Sequence, residues 1–405
     1  MIHKIAIEQL TTGMFIHDLN LAWFDHPFVR NQFMLDDPKD LQRIRDTGVK
    51  ELYIDSSRGA DVAQAPTLEE VQAETEATLL QALAEPTKPA PVAVKDEIRR
   101  ANNIHKQASR AVRKVMQDVR LGRMVEIAQV EDVVEAITGS IERNPSAMLG
   151  LLCIRDKNEY TFLHSVAVGT LMIAFAKSMG LDAETVRKAG MAGLLHDVGK
   201  MRIPDHILDK PGRLTDEEFT IIKGHPQQGW EVLRQLEGID PEALDVTLHH
   251  HERMDGSGYP HHRKGDEISL LTRMASIVDV YDAVTSDRCY HKGLPASQVL
   301  RKLWEWSPSH FDPELVQLFI RTVGIYPVGS LVKLESQRLA VVIEANNATP
   351  LQPRLKVVYS LKHNRPVPSQ EINMAIPVQR GKDRIVGVEA AEHYGIDISR
   401  FLVTH

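Results

Sequence analysis

Cysteine is nearly absent from this chain, which contains only Cys153 and Cys289. Two cysteines are too few for a disulfide framework, so a reducing compartment is expected. An excess of positive charge is also missing, because 48 basic and 55 acidic residues give a formal net charge of −7. Such a charge balance argues against a nucleic acid partner, which would require a basic surface.

Long apolar runs are missing as well. A membrane span needs about 18 uninterrupted apolar residues, and the best stretch, Val166 to Ala176, is shorter and lies mid-chain. The segment Met1 to Ile5 lacks the apolar core of a secretory signal. We therefore expect a cytoplasmic protein without a membrane partner.

The length of 405 residues predicts two or three compact units, since one domain typically has roughly 100 to 200 residues. Turn signals and β-like runs around a helix at Pro38–Thr47 indicate a small α+β start. Helical periodicity dominates from the basic stretch Asp96–Leu121 onward, and β-branched alternation appears at Leu339–Ile343. The expected fold class is mainly α, with a small α+β N-terminal domain and a small β-rich C-terminal segment. The expected boundaries are 1–60 for the N-terminal domain, 61–95 for a linker with a helix at Leu68–Leu83, 96–325 for the helical domain and 326–405 for the C-terminal segment.

Histidine is concentrated in one region, since 11 of the 18 histidines fall between His164 and His310. His164 shares a helical face with the apolar Val168 and Leu171. A lone histidine on such a face is usually a core residue, and a metal ligand is the alternative. Neither interpretation is selected by this residue alone.

His196 and Asp197 are adjacent near the end of an apolar helix that begins at the predicted cap Asp182 and is expected to end at Gly199. Burial of both groups is unfavourable unless a partner compensates. A divalent cation would satisfy both side chains, and a simple ion pair is the other interpretation.

Two further helices are predicted to end or begin at histidines. The helix capped by Thr215 and Glu218 leads to His225, where Pro226 interrupts it. The helix begun by Asp240-Pro241 leads to His249, His250 and His251. Three successive histidines cannot share one narrow helical face, so two can converge on a metal while a solvated position is expected for His249.

Asp279 and Asp282 lie three residues apart on the apolar face of another helix. A buried aspartate there requires a cation. The candidate ligands thus offer nitrogen and oxygen but no thiolate, which favours a catalytic mono- or binuclear centre of Fe, Mn, Zn or Mg over structural zinc. The full set is His164, His196, Asp197, His225, His250, His251 and Asp279. Two metals held close together suit in-line phosphoester hydrolysis.

Cationic side chains flank these ligands. Lys200 would neutralise charge near a scissile phosphate, or it is a helix C-terminal charge. Arg288 and Lys292 could hold phosphate oxygens, or they are ordinary surface charge. The loop Glu252–Pro260 contains two glycines that permit tight turns and close backbone approach, and considered alone it is more often a simple connection than a functional loop.

These motifs resemble the HD-GYP phosphodiesterases, a branch of the HD hydrolase superfamily. The resemblance covers Tyr160–Lys292 and rests on the motifs His196-Asp197-x-Gly-Lys200, Lys210-Pro211-Gly212, His225-Pro226, His250-His251-Glu252-Arg253, Asp255-Gly256-x-Gly258-Tyr259-Pro260 and Thr285-Ser286-Asp287-Arg288. It implies a helical metal-dependent hydrolase domain. It also implies hydrolysis of cyclic dimeric GMP to linear pGpG, and in some members on to GMP.

The resemblance also implies a role for each matching residue. One metal would be held by His164, His196, Asp197 and Asp279, and the other by Asp197, His225, His250 and His251. Asp197 would then bridge two ions, and Lys200 would assist catalysis by neutralising developing charge. Arg288 and Lys292 would engage substrate phosphates. The Gly258-Tyr259-Pro260 loop would border the substrate pocket and is linked in this family to contacts with diguanylate cyclases.

The sequence departs from family members that hold a third metal. Tyr160 stands where those members have glutamate, with Glu159 off that face, and Asp282 replaces a second glutamate. Two divalent ions are therefore expected, with Fe or Mn favoured and Mg, Ni or Zn admitted by the same ligands. Cys289 replaces a common proline, which affects loop rigidity.

Several alternatives stay open at this point. The chain could be a cyclic dimeric GMP sensor with weak turnover, or an HD hydrolase acting on another nucleotide. Its N-terminal stretch resembles an uncharacterised small domain that often precedes HD-GYP domains, and a regulatory or dimerisation role for it is a hypothesis. Oligomeric state is open, because the helix at Asp96–Leu121 could pair with a second copy or pack on its own domain.

Overall fold

The computed structural model describes residues 1–21, 28, 32–82, 91–154, 160–210, 212, 214–286, 293–307, 309–346, 349, 351–381 and 383–402. The chain divides into two compact units, Met1–Gln81 and Ala82–His405.

The described part of the first unit contains four strands and two α-helices. Its elements are β1 (Ile2–Ala6), β2 (Phe15–Asp18), β3 (Phe33–Met34), α1 (Pro38–Asp46), β4 (Glu51–Asp55) and α2 (Leu68–Ala82). The strands form an antiparallel sheet with the order β1-β4-β2-β3. Ile5 pairs with Leu52 and Ile16 with Ile54, and all four side chains are buried in one apolar core.

Helix α1 begins where the sequence predicts, because Asp37 accepts a hydrogen bond from the backbone N–H of Lys39 and Pro38 occupies the first turn. The predicted α+β fold class of the N-terminal domain is confirmed.

The second unit is mainly helical. Its helices up to residue 323 are α3 (Val94–Arg120), α4 (Ala128–Arg143), α5 (Pro145–Leu151), α6 (Tyr160–Ser178), α7 (Ala183–Leu195), α8 (Asp205–Leu208), α9 (Asp216–Ile222), α10 (His225–Leu233), α11 (Pro241–His249), α12 (Leu270–Thr285), α13 (Ala296–Trp306) and α14 (Pro313–Val323). The basic stretch predicted as a helix is α3, and it packs on its own unit against α4, α5 and α6.

Helix α6 lies among α3, α7, α12 and α14. Its segment Thr161–Ser178 has the length and apolar composition of a membrane span, but 72% of this window is buried inside the structure. A helix that is apolar all round is expected when other helices surround it, so its composition is explained as that of a core helix.

A five-stranded antiparallel sheet follows these helices. The elements of this part are β5 (Leu331–Leu334), β6 (Arg338–Glu344), β7 (Arg354–Ser360), β8 (Arg365–Asn373), α15 (Pro377–Arg380), β9 (Ile385–Glu389) and α16 (Ser399–Leu402). The strand order is β8-β7-β6-β5-β9. Asn144 donates to Glu344 at 3.3 Å, and the Ser146 hydroxyl accepts the N–H of Ala345 at 3.2 Å, which ties β6 to α5. The β-rich C-terminal segment and the mainly α fold class are confirmed.

Candidate metal centre

Two glycines bring His164 on α6 and His196 at the end of α7 to one place. A Cβ on Gly193 would lie 2.7 Å from the Cα of Gly169, and a Cβ on Gly169 would lie 2.6 Å from the side chain of Leu194. These contacts require α6 and α7 to approach closely. The two imidazole centroids are 5.3 Å apart and both histidines are fully buried.

Gly199 has a different role from the predicted one. The prediction that it ends α7 is wrong, because α7 ends at Leu195 and Val198–Arg202 form a separate 3-10 helix. A Cβ on Gly199 would lie 2.0 Å from the carbonyl oxygen of His225. Glycine is required here because the turn that carries Asp197 lies directly against the first residue of α10.

The two carboxylate oxygens of Asp197 face different pairs of histidines. Oδ2 lies 3.4 Å from Nε2 of His164 and 3.3 Å from Nε2 of His196. Oδ1 lies 3.3 Å from Nε2 of His225 and 3.8 Å from Nε2 of His250. A carboxylate placed in this way has the geometry to bridge two cations.

Asp279 on α12 and His251 after α11 complete the cluster. Oδ1 of Asp279 is 3.0 Å from Nε2 of His164, and Oδ2 is 3.8 Å from Nδ1 of His251. The structure thus brings the seven predicted ligands together in two groups that Asp197 joins. The groups, each with ligand atoms within 4.8 Å of one another, are His164, His196 and Asp279, and His225, His250 and His251.

Hydrogen bonds orient the histidine rings. Nδ1 donates to the backbone carbonyl three residues earlier at three positions, His196 to Gly193 at 2.8 Å, His225 to Ile222 at 2.7 Å and His250 to Thr247 at 3.1 Å. Nδ1 of His164 lies 2.7 Å from Oδ2 of Asp282. With Nδ1 as donor, each neutral ring directs the lone pair of Nε2 into the cluster, as metal-binding histidines do.

The electrostatics of the cluster favour neutral imidazoles and ionised carboxylates. Burial lowers the pKa of His225, and burial with the charges of His196 and His225 lowers the pKa of His250 to about 3. Burial alone would raise the pKa of Asp197, but the charges of His196 and Lys200 hold that pKa well below its usual value. Neutral histidine and ionised aspartate are the forms that bind metal.

His196 is the exception. Burial lowers its pKa, but the adjacent carboxylate of Asp197 outweighs burial and the pKa is raised. A metal ion that binds Nε2 of His196 therefore competes with a proton for this atom.

Two buried atoms at the centre lack a hydrogen-bond partner among the residues that the structure describes, namely Nε2 of His196 and Oδ1 of Asp197. A buried polar atom without a partner costs about 1–3 kcal/mol. A divalent cation would satisfy both atoms, and a set of nitrogen and carboxylate donors without sulfur fits a catalytic ion. The residues present therefore fit the metal site predicted from the sequence.

Lys200 and the loop with Gly258, Tyr259 and Pro260 border the cluster. Nζ of Lys200 donates to Oδ2 of Asp197. The ring of Tyr259 stacks on that of His251, with centroids 4.8 Å apart. A Cβ on Gly258 would lie 2.5 Å from the backbone of the preceding segment, so only glycine lets the loop fold back against the end of α11.

Some predicted positions cannot be placed. Arg288 and Lys292, the predicted phosphate contacts, lie outside the described residues, as do Glu159, Cys289 and the side chain of Tyr160.

The prediction that His249 is solvated is wrong. Its relative exposure is 2%, because Nδ1 lies 2.9 Å from Oδ1 of Asp245 and Nε2 lies 3.0 Å from Nδ1 of His261. The sequence analysis also missed that Asp282 orients His164, although the three-residue spacing from Asp279 was a usable signal.

Glu252 is a second residue whose role the sequence analysis missed. Its buried carboxylate accepts the backbone N–H groups of His261 at 2.7 Å and Arg263 at 3.1 Å. No local pattern identifies these partners, because they lie nine and eleven residues further along the chain.

Sequence comparison relates the chain to known proteins. A profile described as an HD domain matches residues 142–315, and a profile of a domain of unknown function, DUF3391, matches residues 2–130. Cyclic di-GMP phosphodiesterase PA4108 of Pseudomonas aeruginosa is 45% identical over 393 residues, which cover 97% of this chain and 93% of that protein.

Other relatives match over shorter stretches. The cyclic di-GMP phosphodiesterase response regulator RpfG of Xanthomonas campestris pv. campestris is 39% identical over 169 residues, covering 41% of this chain and 44% of that protein. The 3'3'-cGAMP-specific phosphodiesterase 1 of Vibrio cholerae is 34% identical over 181 residues, which cover 44% of this chain and 42% of that protein. The solved structure of Bd1817, a HDG"Y"P protein from Bdellovibrio bacteriovorus, aligns with a TM-score of 0.47 at 17% identity, covering 79% of this chain and 98% of that chain.

Proposed function

The chain belongs to the HD-GYP family of cyclic di-GMP phosphodiesterases, and from this premise we propose that it hydrolyses cyclic di-GMP at the His and Asp cluster. The observation that supports this proposal best is the carboxylate of Asp197, whose two oxygens face two separate sets of histidine nitrogens. We propose that the cluster holds two divalent ions with Asp197 between them. Iron or manganese is the proposed choice, and the same imidazole and carboxylate donors also admit magnesium, nickel or zinc.

Two divalent ions at this cluster would lower the pKa of an attacking water and polarise the phosphodiester. The reaction forms a bond between the water oxygen and phosphorus, breaks the bond from phosphorus to the 3' oxygen, and transfers a proton to the leaving oxygen. This gives linear pGpG, and a second hydrolysis of the same kind gives GMP.

The chain's own residues contribute position and charge. Lys200 is held against Asp197 and places an ammonium beside the ligands, where negative charge develops on phosphate. Tyr259 stacks on His251 at the edge of the cluster, with the ammonium of Lys223 5.5 Å from its ring centroid, and it is a proposed contact for a guanine base. Arg288 and Lys292 remain proposed contacts for substrate phosphates.

Two further aspects follow from the family. Gly258, Tyr259 and Pro260 are the proposed contact for a diguanylate cyclase domain. The cytoplasm is the proposed location of the chain, where a reducing environment keeps Cys153 and Cys289 as thiols.

The test is hydrolysis of cyclic di-GMP by the full chain loaded with Mn²⁺ or Fe²⁺ under reducing conditions, with products separated by chromatography. Asp197→Ala should lose both turnover and the metal ions held by this cluster, because it removes the ligand shared by the two groups. Asp209→Ala, which changes an exposed aspartate, serves as the matched control and should retain activity.

Two results would contradict the proposal. Substantial hydrolysis by metal-loaded Asp197→Ala would refute the bridging role. Binding of cyclic di-GMP without turnover by the native chain with two ions bound would identify a sensor. A parallel assay with 3'3'-cGAMP tests the substrate, because relatives specific for that dinucleotide are 34% identical to this chain.

A further inference from the structure

A second cluster of metal-ligand atoms lies outside the seven residues assigned to the catalytic centre. His249, Glu252 and His261 place one ligand atom each within 4.8 Å of one another. His249 is the last residue of α11, and the other two belong to the segment Glu252–His262, here called the GYP loop. The cluster therefore connects a helix end to the two ends of one loop.

The tautomer of His249 follows from its neighbours. Nδ1 lies 2.9 Å from Oδ1 of Asp245 and 3.0 Å from the carbonyl oxygen of the same residue, and both atoms are acceptors. Nδ1 must therefore carry the proton, and Nε2 presents a lone pair. This lone pair faces Nδ1 of His261 at 3.0 Å.

Asp245 accepts a hydrogen bond from the ring of His249, and a carboxylate commonly holds a metal-binding histidine in the same way. Its oxygens accept hydrogen bonds from Ser269 at 2.6 Å, Thr272 at 2.9 Å and Arg263 at 3.2 Å. Burial would raise the pKa of Asp245, but the hydrogen bonds from His249, Ser269 and Thr272 lower it overall. An ionised carboxylate in this position raises the basicity of the ring it holds.

Glu252 supplies an anionic oxygen ligand. Its carboxylate is 2% exposed and is held by the N–H groups of His261 and Arg263. Each of its two oxygens has one described hydrogen bond and can accept a further partner. His261 is exposed, so an ion can reach the cluster from solvent.

The distances suit a transition-metal ion. Two nitrogen ligands at about 2.0–2.1 Å from a tetrahedral Zn²⁺ lie about 3.3–3.4 Å apart. The separation of 3.0 Å between the two imidazole nitrogens needs only a few tenths of an ångström of adjustment by the exposed ring of His261.

We propose that His249, Glu252 and His261 bind one divalent transition-metal ion of the Zn²⁺ type, separate from the catalytic ions, and that this ion fastens the GYP loop to the end of α11. The fourth position of the ion is open to water because His261 lies at the surface. Tyr259 on the same loop stacks on the catalytic residue His251. Occupancy of the new site therefore orders the loop beside the catalytic cluster.

The test compares Zn²⁺ binding by the full chain and by His261→Ala, using equilibrium dialysis and elemental analysis. The native chain should bind one equivalent more than the variant. The same difference should persist in an Asp197→Ala background, which separates this ion from the catalytic ions. His262→Asn is the matched control, since it changes the adjacent exposed histidine to a residue that tolerates its φ of 56°, and it should bind Zn²⁺ as the native chain does.

A second measurement reports on the loop itself. Zn²⁺ should slow tryptic cleavage after the exposed Lys264 in the native chain and in His262→Asn, but not in His261→Ala. Asp245→Asn should weaken the affinity of this site about 10- to 100-fold, because it removes the charge behind His249. Equal Zn²⁺ stoichiometry in native and His261→Ala protein would overturn the proposal. The contact between His249 and His261 would then be only a hydrogen bond between two imidazole rings.

Discussion

At the scale of residues, the buried carboxyl groups of the proposed metal cluster outnumber the ammonium groups bonded to them. The carboxylates of Asp197, Asp279 and Asp282 are all nearly buried, and Lys200 is the cation bonded to Asp197. Buried charge without compensation is strongly unfavourable. The excess of carboxyl over ammonium groups therefore supports the proposal that divalent cations bind here, and we expect removal of such ions to destabilise the chain.

His310 gives a prediction for stability against pH that does not depend on the metal ligands. Burial and then the charge of Arg253 lower its pKa from 6.5 to about 4, with Asp255 acting in the opposite direction. The unfolded chain binds a proton here near pH 6.5 while the folded chain does not, so stability should fall as the pH drops from 6.5 toward 4. The loss attributable to this group is about 2 kcal/mol between pH 7.5 and 5.

Urea unfolding of native protein and His310→Gln at the two pH values measures this difference. The variant should lose about 2 kcal/mol less stability on acidification than the native chain. The exposed His206→Gln is the control and should follow the native chain. Identical losses in the native chain and His310→Gln would show that the His310 ring is protonated equally in the folded and unfolded states.

At the scale of elements, the position of α10 depends on Gly199. Gly199→Ala would place a methyl group 2.0 Å from the carbonyl oxygen of His225 and 2.4 Å from the backbone nitrogen of Gly229. Both are backbone atoms, so α10 must move away and carry His225 with it. The expected cost is about 1–3 kcal/mol of stability or more, with loss of the ion proposed to bind His225, His250 and His251.

Metal content and thermal unfolding of Gly199→Ala test this prediction. Gly387→Ala is the matched control, because its Cβ would have no heavy atom within 4 Å. A Gly199→Ala protein with full metal content and native stability would mean that the contact between the turn and α10 is not rigid.

The elements that carry the site are largely predictable because their signals are local. The Thr215–Glu218 capping box forms as predicted, and Pro226 lies in the first turn of α10. Asp240 precedes α11 as predicted, but its side chain makes no capping hydrogen bond and instead accepts one from Arg187 at 2.9 Å. Arg187 lies 53 positions away in the sequence, so no local pattern contains this partner.

Contacts between distant positions account for the features that the sequence analysis missed. Gly199 looks like a helix end because glycine commonly follows helices, yet it is needed for an approach to α10 that only the assembled fold creates. His249 looks like a solvated member of a histidine run, yet Asp245 and His261 bury it. Residue type and spacing identify metal-binding chemistry, and the packing decides which histidine serves which cluster.

At the scale of the whole molecule, the proposed metal ligands are confined to one of the two compact units. All seven proposed ligands lie in Ala82–His405, and the sheet of β1 to β4 lies in Met1–Gln81. An ion that binds only the folded state stabilises the unit that holds it, by about 2.7 kcal/mol when its concentration is 100 times its dissociation constant.

Chelation should therefore lower the unfolding temperature of the helical unit and leave that of the first unit unchanged. Three of the four tryptophans, Trp230, Trp304 and Trp306, belong to the helical unit, so tryptophan fluorescence follows its unfolding while calorimetry records both units. Added Mn²⁺ should raise the fluorescence-detected transition of the native chain but not that of Asp197→Ala. An equal shift in that variant would place the stabilising ion outside the catalytic cluster, and equal shifts of both calorimetric transitions would show that the two units unfold together.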